Sequence, residues 1–272
     1  MDERRAKAWN ALGIGPVWRL RSGFLSSVSE TGNPASSVAE RADEPICEPI
    51  HEPIHEPAAQ SLHEAQDAAI EPDSPIRALD GLDWGALAEA VAQCKACGLC
   101  RGRTQTVFGI GDPNADWLVV GEAPGAEEDR RGEPFVGNAG QLLDAMLAAV
   151  GLRRGQGVYI ANVLKCRPPG NRNPLPEEVE RCQPYLHRQV ALIRPRIILV
   201  LGRFAAQSLL GTDASIARLR GQVHRYRHGG LDVPVVVSYH PAYLLRNLPD
   251  KAKSWADLCL ARATVLAPIR QS

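Results

Sequence analysis

Four short apolar runs, separated by stretches with helical spacing, constrain the fold of this 272-residue chain more than any other feature. Within each run the apolar residues do not alternate with polar ones, and the runs span residues 117–120, 158–163, 197–201 and 233–237. Strands of this kind are buried on both faces, which is typical of a parallel sheet covered by helices. The sequence therefore predicts a three-layer α/β/α fold around a central, mainly parallel four-stranded sheet.

Helical spacing accounts for most of the remaining folded chain. It predicts helices over residues 139–150, 176–193, 203–210 and 251–267. A further helical pattern runs from Trp84 to Ala96, ahead of the first strand. Gly151 and Gly211 lie where helix C-caps are expected. The folded domain is therefore predicted to span residues 82–272.

Residues 1–81 are expected to form an N-terminal extension outside this domain. Apolar residues within residues 1–21 predict a short amphipathic helix, with Trp9, Leu12, Ile14 and Trp18 as anchors. The chain then becomes rich in Ser, Ala, Pro and Glu, and a Glu-Pro repeat places proline at every fourth position over residues 44–58. Proline at this spacing blocks helix formation, so an acidic, disordered linker is expected. Its histidines are interpreted as solvated rather than metal-binding.

The net charge of zero is the sum of two unlike parts. Residues 1–82 contain seven basic and fourteen acidic residues, whereas residues 83–272 contain 24 basic and 17 acidic residues. A basic domain suits a polyanionic partner such as nucleic acid, although an excess of this size is also ordinary variation. No apolar signal region follows the charged N-terminus, and no stretch is apolar for long enough to cross a bilayer. We therefore expect a cytoplasmic protein without membrane contact.

Seven cysteines, an odd number, indicate metal ligation or thiols rather than disulfides in an intracellular protein. Two form a Cys-x2-Cys pair, one follows the second predicted strand and one lies in a predicted helix: Cys94, Cys97, Cys166 and Cys182. Four thiolates suit zinc and an iron–sulfur cluster equally well. Cys100 extends the pair, but the bacterial ferredoxin spacing would require a cysteine where this chain has Thr104. Cys47 and Cys259 are interpreted as thiols without a metal.

Two turns that carry an ionisable residue follow predicted strands. Gly121-Glu122-Ala123-Pro124-Gly125 follows the first run, and a turn that begins at His240 follows the last. Ligands of open α/β sheets bind beyond the carboxyl ends of the strands, so both turns are expected at one site. The glycine-rich turn is not followed by Gly-Lys-Ser/Thr, which argues against nucleotide hydrolysis.

Taken in chain order, these motifs resemble the family 4 uracil-DNA glycosylases, the iron–sulfur members of that superfamily. The resemblance covers residues 94–246 and includes segments 94–97, 121–125, 132–137, 140–143, 162–169 and 240–246. It implies a monofunctional DNA-repair glycosylase, which flips uracil out of single- or double-stranded DNA and hydrolyses its N-glycosidic bond. Free uracil and an abasic site would be the products, and we expect a monomer. A related branch that forms a covalent link to DNA has a His-containing insertion, which residues 167–174 lack.

The resemblance also implies site residues and a cofactor. A structural [4Fe–4S] cluster would be bound by Cys94, Cys97, Cys166 and Cys182. Phe135 would stack on the flipped base, with Ala123 beside the substrate, and the Asn162 carboxamide would match the O4 and N3–H groups of uracil. His240 would stabilise the negative charge that develops at uracil O2.

Three further roles complete the expected site. Glu122 and Glu128 are the candidates for stabilising the sugar cation and orienting water, with Asn171 as a supporting polar residue. The segment after His240 is expected to contact DNA: Leu244 and Leu245 wedge between base pairs, and Arg246 reaches a phosphate or a base edge. Two other classes remain open: a DNA-binding module without turnover, and a redox carrier. The joint presence of Glu122, Phe135, Asn162 and His240 argues against the first class. A redox carrier has no use for the His240 turn.

Overall fold

The structure, a computed structural model, describes residues 79–267. The predicted N-terminal helix and the proline-rich linker lie outside the described residues. Leu79 is already buried, so the packed core begins slightly before the predicted domain start at residue 82.

Helices and strands alternate along most of the described chain. The helices are α1 Trp84–Ala92, α2 Ala126–Arg131, α3 Asn138–Ala149, α4 Pro176–Ile193, α5 Arg203–Leu210, α6 Ile216–Leu219, α7 Pro241–Arg246 and α8 Lys251–Leu266. The strands are β1 Ile110–Gly111, β2 Trp117–Gly121, β3 Val158–Asn162, β4 Ile197–Leu201, β5 Val223–His228 and β6 Leu231–Ser238. All four predicted strands and all the predicted helices within the described residues are present, with small shifts at their ends.

The sheet has six strands in the order β1-β3-β2-β4-β6-β5. The pairs β3–β2, β2–β4 and β4–β6 are parallel, whereas the edge strands β1 and β5 pair antiparallel with β3 and β6. The prediction of a four-stranded sheet is therefore corrected to a mixed six-stranded one. The hydrophobic pattern did not predict the two edge strands, because β1 has only two residues and β5 consists mostly of exposed polar residues.

Successive residues of the central strands point to opposite faces, as the pleat requires. Val119 of β2 joins a core that includes residues of α3 and α8, whereas its neighbours Leu118 and Val120 join a second core with residues of α4 and α5. Each core lies between the sheet and one layer of helices. This arrangement explains why the central strands are apolar on both faces.

Strand register brings the functional turns to one edge of the sheet. Gly121 at the end of β2 lies opposite Asn162 at the end of β3, and Leu201 of β4 lies opposite Ser238 of β6. Parallel strands share a carboxyl edge, so Glu122, Asn162 and His240 all emerge there. No helix within residues 79–267 is long and apolar enough to span a membrane.

Candidate active site and cysteine cavity

Phe135 and Asn162 meet over the backbone of Gly121. A Cβ atom at Gly121 would lie 2.4 Å from Asn162 Oδ1 and 2.6 Å from Phe135 Cζ. Both side chains are buried, with exposed fractions of 6% for Phe135 and 2% for Asn162. The absence of a side chain at Gly121 therefore lets an aromatic ring and a carboxamide close over the end of β2.

His240 joins this group from the end of β6. Its imidazole stacks on the Phe135 ring, with centroids 5.4 Å apart and planes at 27°. His240 is also the N-cap of α7, because its Nδ1 accepts a hydrogen bond from the Ala242 main-chain N–H at 3.1 Å. An accepting Nδ1 places the proton of the neutral ring on Nε2.

The charge state of His240 follows from its surroundings. Burial, and then the nearby Arg246, lower the pKa of His240 to about 4. The imidazole is therefore neutral at neutral pH, and its Nε2–H is a hydrogen-bond donor. A neutral donor of this kind can stabilise a developing anion without giving up its proton.

The backbone of Phe135 is held in a left-handed conformation, with φ of 55°. Such a conformation is costly for a bulky residue and persists where the surrounding structure enforces it. Arg154 donates to the carbonyl oxygens of Pro134 and Phe135, both at 2.9 Å. A Cβ at Gly140 would lie 1.7 Å from the Phe135 oxygen, so only glycine permits this approach.

The two candidate carboxylates have different surroundings. Glu122 follows β2, and its carbonyl accepts from Leu164 N–H at 3.0 Å, which fixes its main chain beside β3. Burial raises the pKa of the Glu122 carboxyl, and Arg203 partly opposes this rise. Glu128 instead accepts from Val136 N–H through Oε1 at 3.2 Å, so it holds the segment that carries Phe135.

Two of the predicted substrate-binding residues lie at the margin of this group. Ala123 packs against the hydrophobic cluster that contains Cys166 and Cys182. Asn171 is exposed on the loop after β3, where its Oδ1 accepts from Arg167 Nε at 2.7 Å. The structure records Arg167 as the partner of Asn171, rather than a residue of the base pocket.

Helix α7 corrects one predicted DNA contact. Leu244 is fully buried in the core, as is the helix face that it shares with Pro241. Leu245 is 42% exposed, and Arg246 is exposed beside it. Since residues three apart lie on one face of a helix, burial of Pro241 draws Leu244 inward and leaves the next two residues outside.

Five cysteine side chains line one small cavity between α1, the loop after β3 and α4: Cys94, Cys97, Cys100, Cys166 and Cys182. Polar hydrogens point at several of these sulfurs. Arg103 Nη1 donates to Cys166 Sγ at 3.1 Å, and the Lys165 main-chain N–H donates to Cys182 Sγ at 3.2 Å. Within residues 79–267, no group of three or more His, Cys, Asp or Glu side chains has the spacing of a single metal-ion site.

Several functional contacts of these sites were not predicted. Arg103, Arg154, Arg203 and Lys165 were missed because each acts on a partner distant in the chain or through main-chain atoms. An Arg or Lys next to a motif in the sequence indicates that a contact is possible, but it does not identify the residue that is contacted.

A cavity of about 850 Å³ lies beside α4 and α5. Its lining includes Glu122, His187, Phe204 and His228, but not Phe135, Asn162 or His240. The cavity therefore shares Glu122 with the candidate site, but it does not enclose the group of Phe135, Asn162 and His240.

His187, which lines this cavity, should lower the stability of the folded protein at acidic pH. Burial, and then His228, lower the pKa of His187 from 6.5 to about 4, so the unfolded chain takes up a proton that the folded chain resists. Stability from this group is present above pH 6.5 and is lost as the pH falls toward 4. We expect His187→Phe, which keeps an aromatic ring against His228, to show a shallower loss in urea unfolding at pH 4.5–6.5. An identical pH slope in both proteins would contradict this.

The fold and the site geometry agree with one class of protein. The sequence model of the uracil DNA glycosylase superfamily matches residues 108–261, more than half of the chain. The match includes the Phe135, Asn162 and His240 segments. The chain is thus a member of the uracil DNA glycosylase superfamily.

Individual relatives narrow this class. A type-4 uracil-DNA glycosylase of Archaeoglobus fulgidus is 50% identical over 159 residues, covering 57% of this chain and 79% of the relative. That of Pyrobaculum aerophilum is 42% identical over 183 residues, or 66% of this chain and 93% of the relative. That of Thermotoga maritima is 44% identical over 168 residues, or 61% and 85%. The chain therefore belongs to the type-4 uracil-DNA glycosylases, which confirms the predicted family.

Proposed function

We propose that this protein removes uracil from DNA by hydrolysing its N-glycosidic bond, and that it releases free uracil and leaves an abasic site. The observation that carries this function is the meeting of Phe135 and Asn162 over Gly121, with His240 stacked on Phe135. Together they offer an aromatic face, a carboxamide and a neutral N–H donor at the carboxyl edge of the sheet. A flipped pyrimidine needs these three groups.

Base selection rests on Asn162. Its carboxamide provides both a donor and an acceptor, which complement uracil O4 and N3–H. Cytosine presents an amine and an unprotonated N3 at the same positions, so both contacts would be mismatched. Because Asn162 is buried, a mismatched base leaves polar groups unpaired, which is strongly unfavourable.

Bond cleavage transfers negative charge to the uracil ring and leaves an oxocarbenium-like sugar. His240 Nε2–H donates to the charge that grows at uracil O2, and its neutral state avoids a proton-transfer step. Glu122, held beside β3 by its main chain, stabilises the sugar cation and orients the attacking water. Glu128 acts indirectly by holding the segment of Phe135.

Base flipping uses the exposed end of α7. Leu245 enters the base stack and Arg246 contacts the DNA backbone, while Leu244 anchors the helix in the core. Extrusion costs a few kcal/mol, and the wedge stabilises the opened duplex. Both single- and double-stranded DNA that contains uracil are substrates.

The cysteine cavity holds a [4Fe–4S] cluster, with Cys94, Cys97, Cys166 and Cys182 as ligands. The donor set fits, since thiolates that accept hydrogen bonds in an apolar shell are the usual ligands of such clusters. Bound by these four cysteines, such a cluster would link the chain after α1, the loop after β3 and α4.

The choice of ligands leads to a direct comparison of cysteine variants. We expect Cys182→Ser to lose bound iron and to lower the melting temperature by several degrees, because the cross-link opens. Cys100→Ser and the exposed-site control Cys259→Ser should keep iron. Iron content per chain and thermal unfolding are the measurements. If Cys100→Ser lost iron while Cys182→Ser kept it, Cys100 would replace Cys182 as a ligand.

The function is tested with an oligonucleotide that contains one uracil, treated with alkali after incubation with the protein. Strand scission at the uracil, with free uracil released, is the expected result. Binding of the oligonucleotide without scission would identify a DNA-binding module, and neither binding nor scission would favour a redox carrier.

A further inference from the structure

Lys165 connects the cysteine cavity to the base pocket through the protein interior. Its side chain is 1% exposed and is among the largest fully buried side chains of the described chain. It lies three residues after Asn162 and directly before Cys166. None of the roles described above uses its amino group.

The side-chain amino group contacts three oxygens. Lys165 Nζ lies 2.9 Å from the main-chain oxygen of Asn162, 2.6 Å from Gln189 Oε1 and 3.4 Å from the main-chain oxygen of Phe108. An ammonium has three donors and no acceptor, so this set can use all of them. The carbonyl of the base-reading residue is thereby tied to the interior.

The main chain of Lys165 is held from the other side. Its N–H donates to Cys182 Sγ at 3.2 Å, and its carbonyl accepts from Val107 N–H at 2.8 Å. The same residue therefore contacts the wall of the cysteine cavity through its backbone and the end of β3 through its side chain. A shift of either part moves the other.

We propose that Lys165 is a positioning residue that sets the uracil selectivity of the pocket by fixing the main chain of Asn162. An apolar side chain would fill this space without the cost of desolvating an amino group. The presence of a lysine is explained by the carbonyl that it holds, because a carboxamide reads a base only if its backbone is rigid. The inference rests on the proposed function.

The test compares Lys165→Met with the matched variant Gln189→Met. Both remove one member of the buried Lys165–Gln189 hydrogen bond, but only the first releases the carbonyl of Asn162. Lys165→Met with Gln189→Met in one chain removes the polar pair together, which limits the unpaired groups if the single variant folds poorly. Melting temperature and iron content are measured for all three variants.

Selectivity is measured by single-turnover release of uracil, by affinity for uncleaved DNA, and by inhibition with free uracil and free cytosine. In Lys165→Met we expect uracil release to slow by ~10- to 100-fold, as small displacements of positioning groups do. Inhibition by uracil should weaken toward that by cytosine, while DNA affinity and iron content stay unchanged. Gln189→Met should retain the rate and the preference for uracil despite a lower melting temperature.

Two results would overturn the inference while leaving the function intact. One is an active unmodified protein whose Lys165→Met variant keeps its rate and uracil preference. The other is failure of both Lys165 variants to fold, since Lys165 would then act on the fold as a whole. An unmodified protein that releases no uracil would instead refute the proposed function, and with it the inference that rests on that function.

Discussion

Replacing His240 with alanine should slow uracil excision by ~10²- to 10³-fold, the usual loss when one donor to a developing anion is removed. The imidazole stacks on Phe135 with centroids 5.4 Å apart, and its Nε2–H is the donor that we propose for uracil O2. Since Leu245 and Arg246 remain exposed on α7, affinity for uncleaved DNA should change little. Single-turnover kinetics with saturating protein separate these two quantities.

His228→Ala is the matched control for this experiment. His228 is an exposed histidine that lines the neighbouring cavity and not the base pocket. It should retain the rate of the unmodified protein. Equal rates in the His240 and His228 variants would remove His240 from the reaction.

Asn162→Asp should have the second large effect, because it alters the carboxamide that we propose distinguishes uracil from cytosine. The amide donor becomes an acceptor that faces uracil O4, so the preference for uracil over cytosine should fall by ~10²- to 10⁴-fold. Uracil excision slows, and cytosine gains one matched contact between its amine and the carboxylate. Parallel assays with single-stranded oligonucleotides that differ only in one uracil or one cytosine at the same position measure the ratio.

An exposed asparagine supplies the comparison. Asn114 lies in the turn before β2, at the opposite end of that strand from Gly121, and Asn114→Asp adds the same charge. Its base preference should match that of the unmodified protein. A preserved uracil preference in Asn162→Asp would show that another group reads the base.

The central strands were predictable because each one is marked by a continuous apolar run within its own sequence. Each of β2, β3, β4 and β6 is buried on both faces, so its apolar run stands out in the sequence. The edge strand β5 could not be found this way, since Tyr226 is its one buried residue. Helix α2 was missed for a similar reason: its six residues are mainly charged and have no apolar period.

The sequence predicted which residues lie at the site, but it did not predict how all of their side chains are oriented. The motifs predicted that Glu122, Asn162 and His240 lie at the carboxyl ends of buried strands, and the parallel pairing brings those ends to one edge of the sheet. The side of α7 on which Leu244 lies depends on where the helix begins. The contact between Glu128 and Val136 depends on a loop closing back on α2, which no spacing rule encodes.

The division of α7 into a buried Leu244 and an exposed Leu245 has a mechanical consequence. Leu245, which we propose enters the duplex, directly follows a residue that is buried in the core, so it has little freedom to retract or follow the DNA. The deformation must then come from the nucleic acid. Sites where the base is weakly held, such as G·U mismatches and unpaired strands, should therefore yield sooner than A·U pairs.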